Sequence, residues 1–453
     1  MRRKIYDRLL GWKAKEADKC ALMIEGARRV GKSYIVEEFA RNEYKHHLVI
    51  DFAKAGKPIK DLFLDKLGDL DAFFLLLEAR TGATLRRGET LVVFDEVQRF
   101  PRAREAIKYL VADGRHHYIE TGSLISMRKN IDGIVIPSEE LKIQMHPMDF
   151  EEFLWAIGRE GVMPLIRQRF EKREQMGQVD HRMIMELFRQ YIVVGGMPQA
   201  VAAFAAERRL EEAEFSKKLI LDLYRNDIGK FAGRLKDKVG AIWRAIPGEL
   251  SLRDKRFSPG AAGRDTRMRE LVAPFEWLSE SMTVNLATNT TDPNIGFRWT
   301  EDRSDLKCYM ADTGLLASFA FEDNPRSKLD VLRRVLTGKI EINKGMLMEN
   351  AVAQMLRAAG QELHFHKSPS GVPADERMEI DFLLAKSKVS RRHNVVPIEV
   401  KSSKDYTTIS LERFCAKYRD YAATPVILHP GDLKNDNGIA TFPLYMTSLV
   451  PEL

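Results

Sequence analysis

Apolar residues follow two different spacings along the first part of the chain. Short continuous apolar runs, such as those within Cys20–Glu25 and Leu91–Phe94, are typical of strands buried in a parallel sheet. After Ser33, apolar residues instead recur every three or four positions, which is the spacing of a helix that packs one face against a core. These patterns predict an α/β domain over residues 1–150.

Helical spacing dominates the stretch that begins at Asp149, and it predicts a helical segment over residues 151–235. A smaller unit of helices and a short strand is expected over residues 236–320. Within it, the basic and glycine-rich stretch Leu252–Glu270 is interpreted first as a solvated loop and second as a contact to a phosphate backbone. Asp312 is of the residue type that caps helices, so it is assigned no chemistry.

The order of elements changes again over residues 321–453. An amphipathic helix containing Glu349 is followed by a strand, by a strand containing Asp381, and by a strand containing Glu399. Lys401 lies two residues after Glu399 and therefore shares a strand face with it. This order of a helix with a glutamate, a strand with an aspartate and a strand with Glu-x-Lys is the arrangement of a PD-(D/E)xK nuclease-like fold.

Composition narrows the class of protein only slightly. The chain has 453 residues, of which 44% are hydrophobic and 30% are charged, as is usual for globular proteins. Its apolar runs are shorter than the roughly 18 residues of a membrane helix, no apolar signal core follows the basic N-terminus, and its three cysteines are isolated. A cytoplasmic protein without a membrane partner is therefore expected. The formal charge of +7 permits a polyanionic partner but does not require one.

A glycine-rich loop lies between the first apolar strand and the helix that follows it. Its residues fit G-x-x-x-x-G-K-[ST] and are Gly26, Ala27, Arg28, Arg29, Val30, Gly31, Lys32 and Ser33. The two glycines allow a turn in which backbone N–H groups converge on phosphate oxygens, and the helix start adds positive partial charge. Lys32 is expected to neutralise the β- and γ-phosphates, and the Ser33 hydroxyl to hold Mg²⁺. The alternative is an incidental glycine-rich turn.

Two further strand ends complete the predicted nucleotide site. The strand Leu91–Phe94 ends in Asp95 and Glu96, at the edge where parallel α/β sheets bind their ligands. Asp95 is expected to bind Mg²⁺ through water, and Glu96 to polarise the attacking water. Ser123 follows the next strand and is a candidate sensor of the γ-phosphate, although Thr-Gly-Ser also forms ordinary turns. The sequence has no N-K-x-D motif, so ATP rather than GTP is expected.

The tail carries a second candidate site, for phosphodiester cleavage. Hard cations prefer carboxylate oxygens, so Asp381 and Glu399 are expected to hold one or two Mg²⁺ ions, with Glu349 as an outer carboxylate. The metal would lower the pKa of a bound water, and Lys401 would position that water. A salt-bridged strand face and a domain that binds nucleic acid without cutting it are the alternatives.

With these residues identified, the chain resembles a family of prokaryotic AAA-superfamily ATP-binding proteins that carry an uncharacterised C-terminal domain. The resemblance rests on an ordered series of stretches, which are GARRVGKS, VVFDEVQRFP, IETGS, MHPMDFEEFL, YIVVGGMPQAV, CYMADTGLLASF, EIDFLL and PIEVK. It implies a P-loop ATPase of AAA type with a parallel sheet and a helical lid, a winged-helix-like middle and a C-terminal restriction-endonuclease-like α/β domain. The implied boundaries are 1–150, 151–235, 236–320 and 321–453.

The chain departs from this family at one place. Relatives have a Gly-Arg pair between the Thr-Gly-Ser strand and the P-x-x-F-x-E-F stretch. In this chain, Arg128 lies in that interval but is not part of such a pair. An arginine that acts on the γ-phosphate in cis therefore does not follow from the resemblance. Arg28, Arg29 and an arginine from a second subunit are the other candidates.

The sequence thus predicts an ATP-binding and ATP-hydrolysing protein whose nucleotide state controls a nuclease-like tail that engages DNA or RNA, with DNA favoured. One alternative is a regulatory ATPase switch that docks a protein partner and has no nuclease activity. Another is an interaction scaffold in which the nucleotide is structural. A homo-oligomer is compatible with each of these.

Overall fold

The computed structural model describes two compact units. The first consists of Met1–His146 with Glu280–Met282, and the second of Pro147–Ser279 with Thr283–Leu453. The described residues are 1–123, 137–294, 296–322, 325–339, 344–369, 371–386, 391–403, 405–436 and 438–453.

Strands and helices alternate in the first unit, as the sequence predicts. The strands are β1 (Ala21–Glu25), β2 (His46–Asp51), β3 (Thr90–Asp95), β4 (His117–Gly122) and β5 (Glu140–Gln144). The helices are α1 (Ile5–Lys15), α2 (Lys32–Glu43), α3 (Lys57–Asp65), α4 (Leu70–Thr81) and α5 (Pro101–Asp113), with a 3₁₀ turn at Val97–Arg99.

The five strands of this unit form a parallel sheet in the order β2-β3-β4-β1-β5. Alternate residues of a strand face opposite sides of a sheet, so each strand contributes to two cores. On one side Leu22 and Ile24 belong to a cluster with Trp12 and Phe39, and on the other side Phe94 belongs to a cluster with residues of α3, α4 and α5. Both faces are therefore covered by helices, which is typical of parallel sheets.

The register of the sheet brings three strand ends to one edge. Glu25, the last residue of β1, pairs with Gly122, the last residue of β4, and Phe94 of β3 pairs with Glu120 of β4. The segments that follow β1, β3 and β4 consequently start beside one another. This edge is where an open α/β sheet binds its ligand.

The second unit begins with helices and continues into a larger sheet. Its helices are α6 (Phe150–Ala156), α7 (Val162–Lys172), α8 (Gln178–Val194), α9 (Pro198–Glu207), α10 (Leu210–Phe231), α11 (Lys236–Ser251), α12 (Val272–Glu280), α13 (Thr313–Ala320), α14 (Pro325–Leu336), α15 (Lys344–Ala358) and α16 (Ile409–Lys417). Short 3₁₀ helices cover Gly233–Leu235, Pro259–Ala262, Met268–Glu270, Phe297–Thr300 and Leu444–Glu452. The strands are β6 (Val284–Thr290), β7 (Glu301–Met310), β8 (Leu363–Lys367), β9 (Glu379–Ala385), β10 (Val395–Val400), β11 (Val426–His429), β12 (Lys434–Asp436) and β13 (Ile439–Pro443).

These eight strands form one mixed sheet in the order β12-β13-β11-β10-β9-β8-β6-β7. Strand β6 pairs with β7 antiparallel and with β8 parallel, so it joins the middle of the chain to the tail. The boundary expected between residues 320 and 321 runs through this sheet. The segment at 236–320, which was expected to be winged-helix-like, therefore contributes two strands to the sheet that carries Asp381 and Glu399.

Helix spacing in the sequence is confirmed at several places in this unit. Helices α6 to α10 occupy the stretch that starts at Asp149. In α15, which the sequence predicts as an amphipathic helix, the apolar residues Met346, Ala351, Met355 and Leu356 are all buried. None of the helices in the described part of the chain combines the length and the apolar character that a bilayer span requires.

Candidate functional site

The loop between β1 and α2 has the backbone geometry that its two glycines were expected to allow. A Cβ atom on Gly26 would lie 2.6 Å from the Met145 carbonyl oxygen, so a larger residue would force the neighbouring chain to shift. Gly31 has φ of 100° and immediately precedes the first residue of α2, in a conformation that residues with a side chain rarely adopt. Both glycines are thus required by the path of the loop, which ends at a helix N-terminus.

Lys32 folds back over this loop. Its Nζ donates hydrogen bonds to the carbonyl oxygens of Gly26 at 2.8 Å and Ala27 at 3.0 Å. Burial lowers the pKa of Lys32 to about 8, although the carboxylates of Glu96 and Asp95 act in the opposite direction. The ammonium is therefore held at the loop, where a phosphate could replace the carbonyl oxygens as its partner.

Asp95 connects three elements at the carboxyl edge of the sheet. The Ser33 hydroxyl at the start of α2 donates to Asp95 Oδ1 at 2.8 Å, and the Thr121 hydroxyl at the end of β4 donates to the same oxygen. Asp95 itself is 7% exposed. The serine and the aspartate that were predicted to share Mg²⁺ are thus adjacent, and a magnesium ion between them would find two oxygen ligands of the kind it prefers.

Glu96 is held in an unusual backbone conformation next to Asp95. Its φ of 56° is uncommon for a residue with a side chain and turns the chain into the 3₁₀ segment Val97–Arg99. Its N–H donates to Thr121 Oγ1 at 3.4 Å, and its Oε2 accepts from Gln98 Nε2 at 2.6 Å. The backbone of Glu96 is thus held by Thr121, and its carboxylate is held by Gln98.

The role of Ser123 as a sensor of the γ-phosphate stays a prediction. Its side chain is buried, and its hydroxyl has no hydrogen-bond partner among the described residues. Thr121, two residues earlier, is the hydroxyl that contacts Asp95. The sequence signal for Thr121 was present in the same Thr-Gly-Ser run, but only the register of β4 shows which hydroxyl reaches the site. Arg128 lies outside the described residues.

The tail brings three of its four predicted site residues to one cavity of about 450 Å³. Those three are Asp381, Glu399 and Lys401, and the remaining lining residues are Arg253, Asp254, Lys367, Glu379 and Ser410. Lys401 Nζ lies 2.5 Å from Glu399 Oε2, and Asp381 Oδ2 accepts the N–H of Val400 at 2.9 Å. Burial raises the pKa of Glu399 to about 7, although Lys401 opposes the shift.

Glu349 is buried behind this cavity and does not line it. Its Oε1 accepts from Tyr309 Oη at 2.5 Å, and its Oε2 lies 2.5 Å from Lys255 Nζ. Burial alone would raise the pKa of Glu349, but Lys307 and Lys255 outweigh it and lower the pKa to about 2. Glu349 is thus paired with two lysines away from the cavity, and its expected role as an outer carboxylate of the metal site stays a prediction.

The same region contains a lysine, Lys307, that was not predicted to be a site residue. Lys307 of β7 is 1% exposed, and its Nζ lies between the carboxylates of Glu349, Glu379 and Asp381. A lysine inside the apolar strand that precedes Asp312 is the same kind of signal that selected Glu399. Among the described residues, no three His, Cys, Asp or Glu side chains are arranged to hold a metal ion. Asp381 and Glu399 both line the cavity, and their expected role as ligands of a divalent cation stays a prediction.

Comparisons with protein families match most of the chain in three separate parts. Residues 18–154 match a family described as "AAA domain", residues 185–326 match "Domain of unknown function (DUF8612)", and residues 344–445 match "Domain of unknown function (DUF4143)". No curated protein matches the chain.

Several solved structures resemble the chain at low identity. The Walker-type ATPase PABY2304 of Pyrococcus abyssi is 15% identical with a TM-score of 0.40, over 70% of this chain and 95% of that chain. An ORC structure from Drosophila bound to DNA is 14% identical with a TM-score of 0.27, over 72% and 94%. Cdc6p from Pyrobaculum aerophilum is 12% identical with a TM-score of 0.24, over 74% and 93%.

Such TM-scores are too low to support an argument about the whole chain, so the assignment rests on the family match and the loop geometry. The first unit is an α/β domain of the P-loop AAA ATPase class. The matches to the middle and to the tail carry no function.

Proposed function

We propose that this chain binds and hydrolyses ATP at the loop Gly26–Ser33, and that the nucleotide state controls how its nuclease-like tail engages DNA or RNA. The observation that carries the first half is the contact of Ser33 with Asp95 beside the folded-back Lys32, within a domain of the AAA class. The phosphate groups and Mg²⁺ need these three side chains at one sheet edge, and Glu96 follows Asp95 there to orient the attacking water.

Each residue of the nucleotide site has a separate task in this proposal. The loop N–H groups and Lys32 bind the β- and γ-phosphates, and Ser33 and Asp95 hold Mg²⁺. Bound magnesium supplies charge neutralisation at the phosphates. Glu96 orients the attacking water, and its hydrogen bond from Gln98 fixes the direction of the carboxylate. An arginine that completes the site comes from Arg28, Arg29 or a second subunit.

The tail is proposed to act on nucleic acid at the cavity lined by Asp381, Glu399 and Lys401. The two carboxylates would hold a divalent cation, which supplies a water of lowered pKa. Lys401 would position that water, and Arg253 and Lys367 give the cavity mouth two cations that suit phosphate oxygens. DNA is the favoured substrate in this proposal, although the basic rim formed by Arg253 and Lys367 would attract the phosphate charge that DNA and RNA share.

The first half is tested by steady-state ATP hydrolysis. Lys32→Ala is expected to lose roughly 90% or more of the activity, because the phosphates lose the ammonium that is held at the loop. Glu96→Gln is expected to retain ATP binding and to lose hydrolysis. Lys108→Ala replaces an exposed lysine on α5 and serves as the matched control. Hydrolysis that survives Lys32→Ala unchanged contradicts the proposal.

The second half is tested by cleavage of labelled DNA and RNA with Mg²⁺ or Mn²⁺. Glu399→Ala and Lys401→Ala are expected to abolish cleavage, whereas Lys417→Ala, an exposed lysine on α16, is expected to leave it unchanged. If wild type and variants are equally inactive in cleavage but still bind DNA, the tail is a binding module. Loss of binding as well favours the alternative of a regulatory ATPase that docks a protein partner.

A further inference from the structure

Lys307 is surrounded by carboxylates from two different elements. Its Nζ lies 3.5 Å from Glu349 Oε1, 3.1 Å from Glu379 Oε1 and 3.3 Å from Asp381 Oδ1. Glu349 belongs to α15, and the other two residues belong to β9. Nothing in the local sequence of β7 needs a charge at this buried position, so the ammonium is present because of these three partners.

The environment of Lys307 is that of a resident cation. The Phe365 ring centroid lies 5.1 Å from Nζ and adds a cation–π contact. Three carboxylates are also the type of ligand that a hard divalent cation prefers, but with Lys307 between them no three such side chains of the described residues are arranged to hold a metal ion. The nitrogen-to-oxygen distances exceed metal-to-oxygen distances because the ammonium is the larger group.

The carboxylates around the cavity each have a lysine partner. Glu379 contacts Lys367 at 3.4 Å in addition to Lys307, and Glu349 contacts Lys255 at 2.5 Å. On the cavity side, Glu399 pairs with Lys401. The inner carboxylates are therefore neutralised without a metal ion, whereas a site for two divalent ions needs an excess of negative charge.

We propose that Lys307 Nζ takes the place of an inner metal ion among Glu349, Glu379 and Asp381, so that the tail binds at most one divalent cation. That cation would lie on the cavity side, at Asp381 and Glu399. The cation at Asp381 and Glu399 rests on the proposed function of the tail, whereas the role of Lys307 among the three carboxylates does not. Lys307 is thus a positioning residue that fixes three carboxylates and leaves Glu349 out of the metal shell.

The first test replaces Lys307 by methionine in the full chain and measures the thermal midpoint in EDTA and in Mn²⁺, without nucleotide. Lys307→Met keeps most of the length of the side chain but leaves the buried Glu349 and the half-buried Glu379 and Asp381 without their common cation. The midpoint in EDTA is expected to fall by on the order of 10 °C. Mn²⁺ is expected to restore most of that loss in the variant, and to change the wild-type midpoint much less.

Lys255→Met is the matched control, because Lys255 contacts one of these carboxylates and not all three. Its loss of stability is expected to persist in Mn²⁺. If Mn²⁺ fails to rescue Lys307→Met, or rescues Lys255→Met equally well, the inference is overturned.

A second measurement uses only variants that keep Lys307. Bound Mn²⁺ is counted by electron paramagnetic resonance in wild type and in Asp381→Asn. If wild type binds one more equivalent of Mn²⁺ than Asp381→Asn, or the same number, the inference is supported. If wild type binds two more equivalents, the inference is overturned. Cleavage that is absent from wild type contradicts the proposed function of the tail, and this outcome is separate from the rescue of Lys307→Met.

Discussion

At the scale of single residues, Lys32 links the charge of the nucleotide site to pH. Its pKa is lowered to about 8, so its ammonium loses a proton between pH 7 and pH 9 in the absence of nucleotide. Phosphate binding needs the protonated form, and apparent affinity falls with the fraction that is competent to bind. The affinity for ATP is therefore expected to fall about tenfold from pH 7 to pH 9.

This prediction is measured by titrating the chain with a fluorescent ATP analogue at pH 7, 8 and 9. The sign follows from the lowered pKa, because a deprotonated Lys32 must take up a proton when phosphate binds. Lys32→Met is expected to bind weakly at each pH with no such slope. A flat wild-type profile, or the same slope in Lys32→Met, contradicts the prediction.

Thr121 gives a second prediction at this scale. Its hydroxyl donates to Asp95 Oδ1 and accepts the N–H of Glu96, so it orients the two acidic residues at once. Thr121→Val keeps the shape and removes both bonds. ATP hydrolysis is expected to fall about tenfold, which corresponds to one hydrogen bond to a charged group.

The comparison that decides this point is Ser123→Ala, measured in the same hydrolysis assay. Ser123 Oγ bonds no described residue, so a smaller effect than that of Thr121→Val is expected. A larger effect from Ser123→Ala would instead favour the γ-phosphate sensor that the sequence suggested.

These residues differ in how far the sequence alone could assign them. Lys32 and Ser33 are fixed by spacing within one loop, and that spacing is local. Thr121 needs the register of β4, and Lys307 needs the approach of β7 to residues of β9. Contacts between distant strands leave no periodic signal in the chain, so the hydroxyl and the buried lysine became apparent only in three dimensions.

At the scale of elements, Asp312 shows how one capping residue fixes several segments. Its Oδ1 accepts the N–H of Leu315 at the start of α13, and its Oδ2 accepts the N–H of Gly196 at 2.5 Å. Gly196 is also forced to be small, since a Cβ atom there would lie 2.0 Å from the Met148 carbonyl oxygen. The expectation that Asp312 caps a helix is confirmed, and its reach to Gly196 is additional.

Asp312→Ala is expected to destabilise the protein by about 3 kcal/mol, because a helix cap is lost and two buried N–H groups lose their acceptor. The measurement is the midpoint of urea unfolding followed by circular dichroism. Asp69→Ala removes an exposed cap of α4 and is expected to cost about 1 kcal/mol or less. Equal effects of the two substitutions would show that the buried contacts of Asp312 add nothing.

Element types were more predictable than element pairing. The helical spacing after Asp149 and the inward face of α15 follow from periods of three and four residues. The parallel pairing of β6 with β8 joins residues more than 70 positions apart, as in Ala287 with Leu363. A segment expected to be a separate winged-helix-like unit therefore supplies two strands to the sheet of the tail.

At the scale of the whole molecule, the proposal requires a free-energy coupling between ATP and nucleic acid. The formal charge of +7 gives the chain a general attraction for polyanions, and this attraction does not depend on nucleotide. A controlled tail must therefore show a change in affinity between nucleotide states at constant salt. Thermodynamic linkage adds that DNA must change the affinity for ATP by the same factor.

The prediction is that ATP changes the affinity of Glu96→Gln for a short labelled DNA about tenfold relative to the nucleotide-free chain. Glu96→Gln is used because it is expected to hold ATP without hydrolysing it, so both equilibria can be measured. Fluorescence anisotropy gives the DNA affinity with and without ATP, and titration with a fluorescent ATP analogue gives the ATP affinity with and without DNA.

Two variants serve as controls in this experiment, one for ATP binding and one for nucleic-acid cleavage. Lys32→Ala is expected to bind DNA with an affinity that ATP does not change, because its loop no longer holds the phosphates. Asp381→Asn is expected to keep the coupling while it loses cleavage, because a single lost carboxylate weakens the metal site and leaves the basic rim of Arg253 and Lys367 in place. Equal DNA affinities in all nucleotide states of Glu96→Gln would separate the two halves of the proposal, leaving an ATPase and a tail that share a chain without controlling each other.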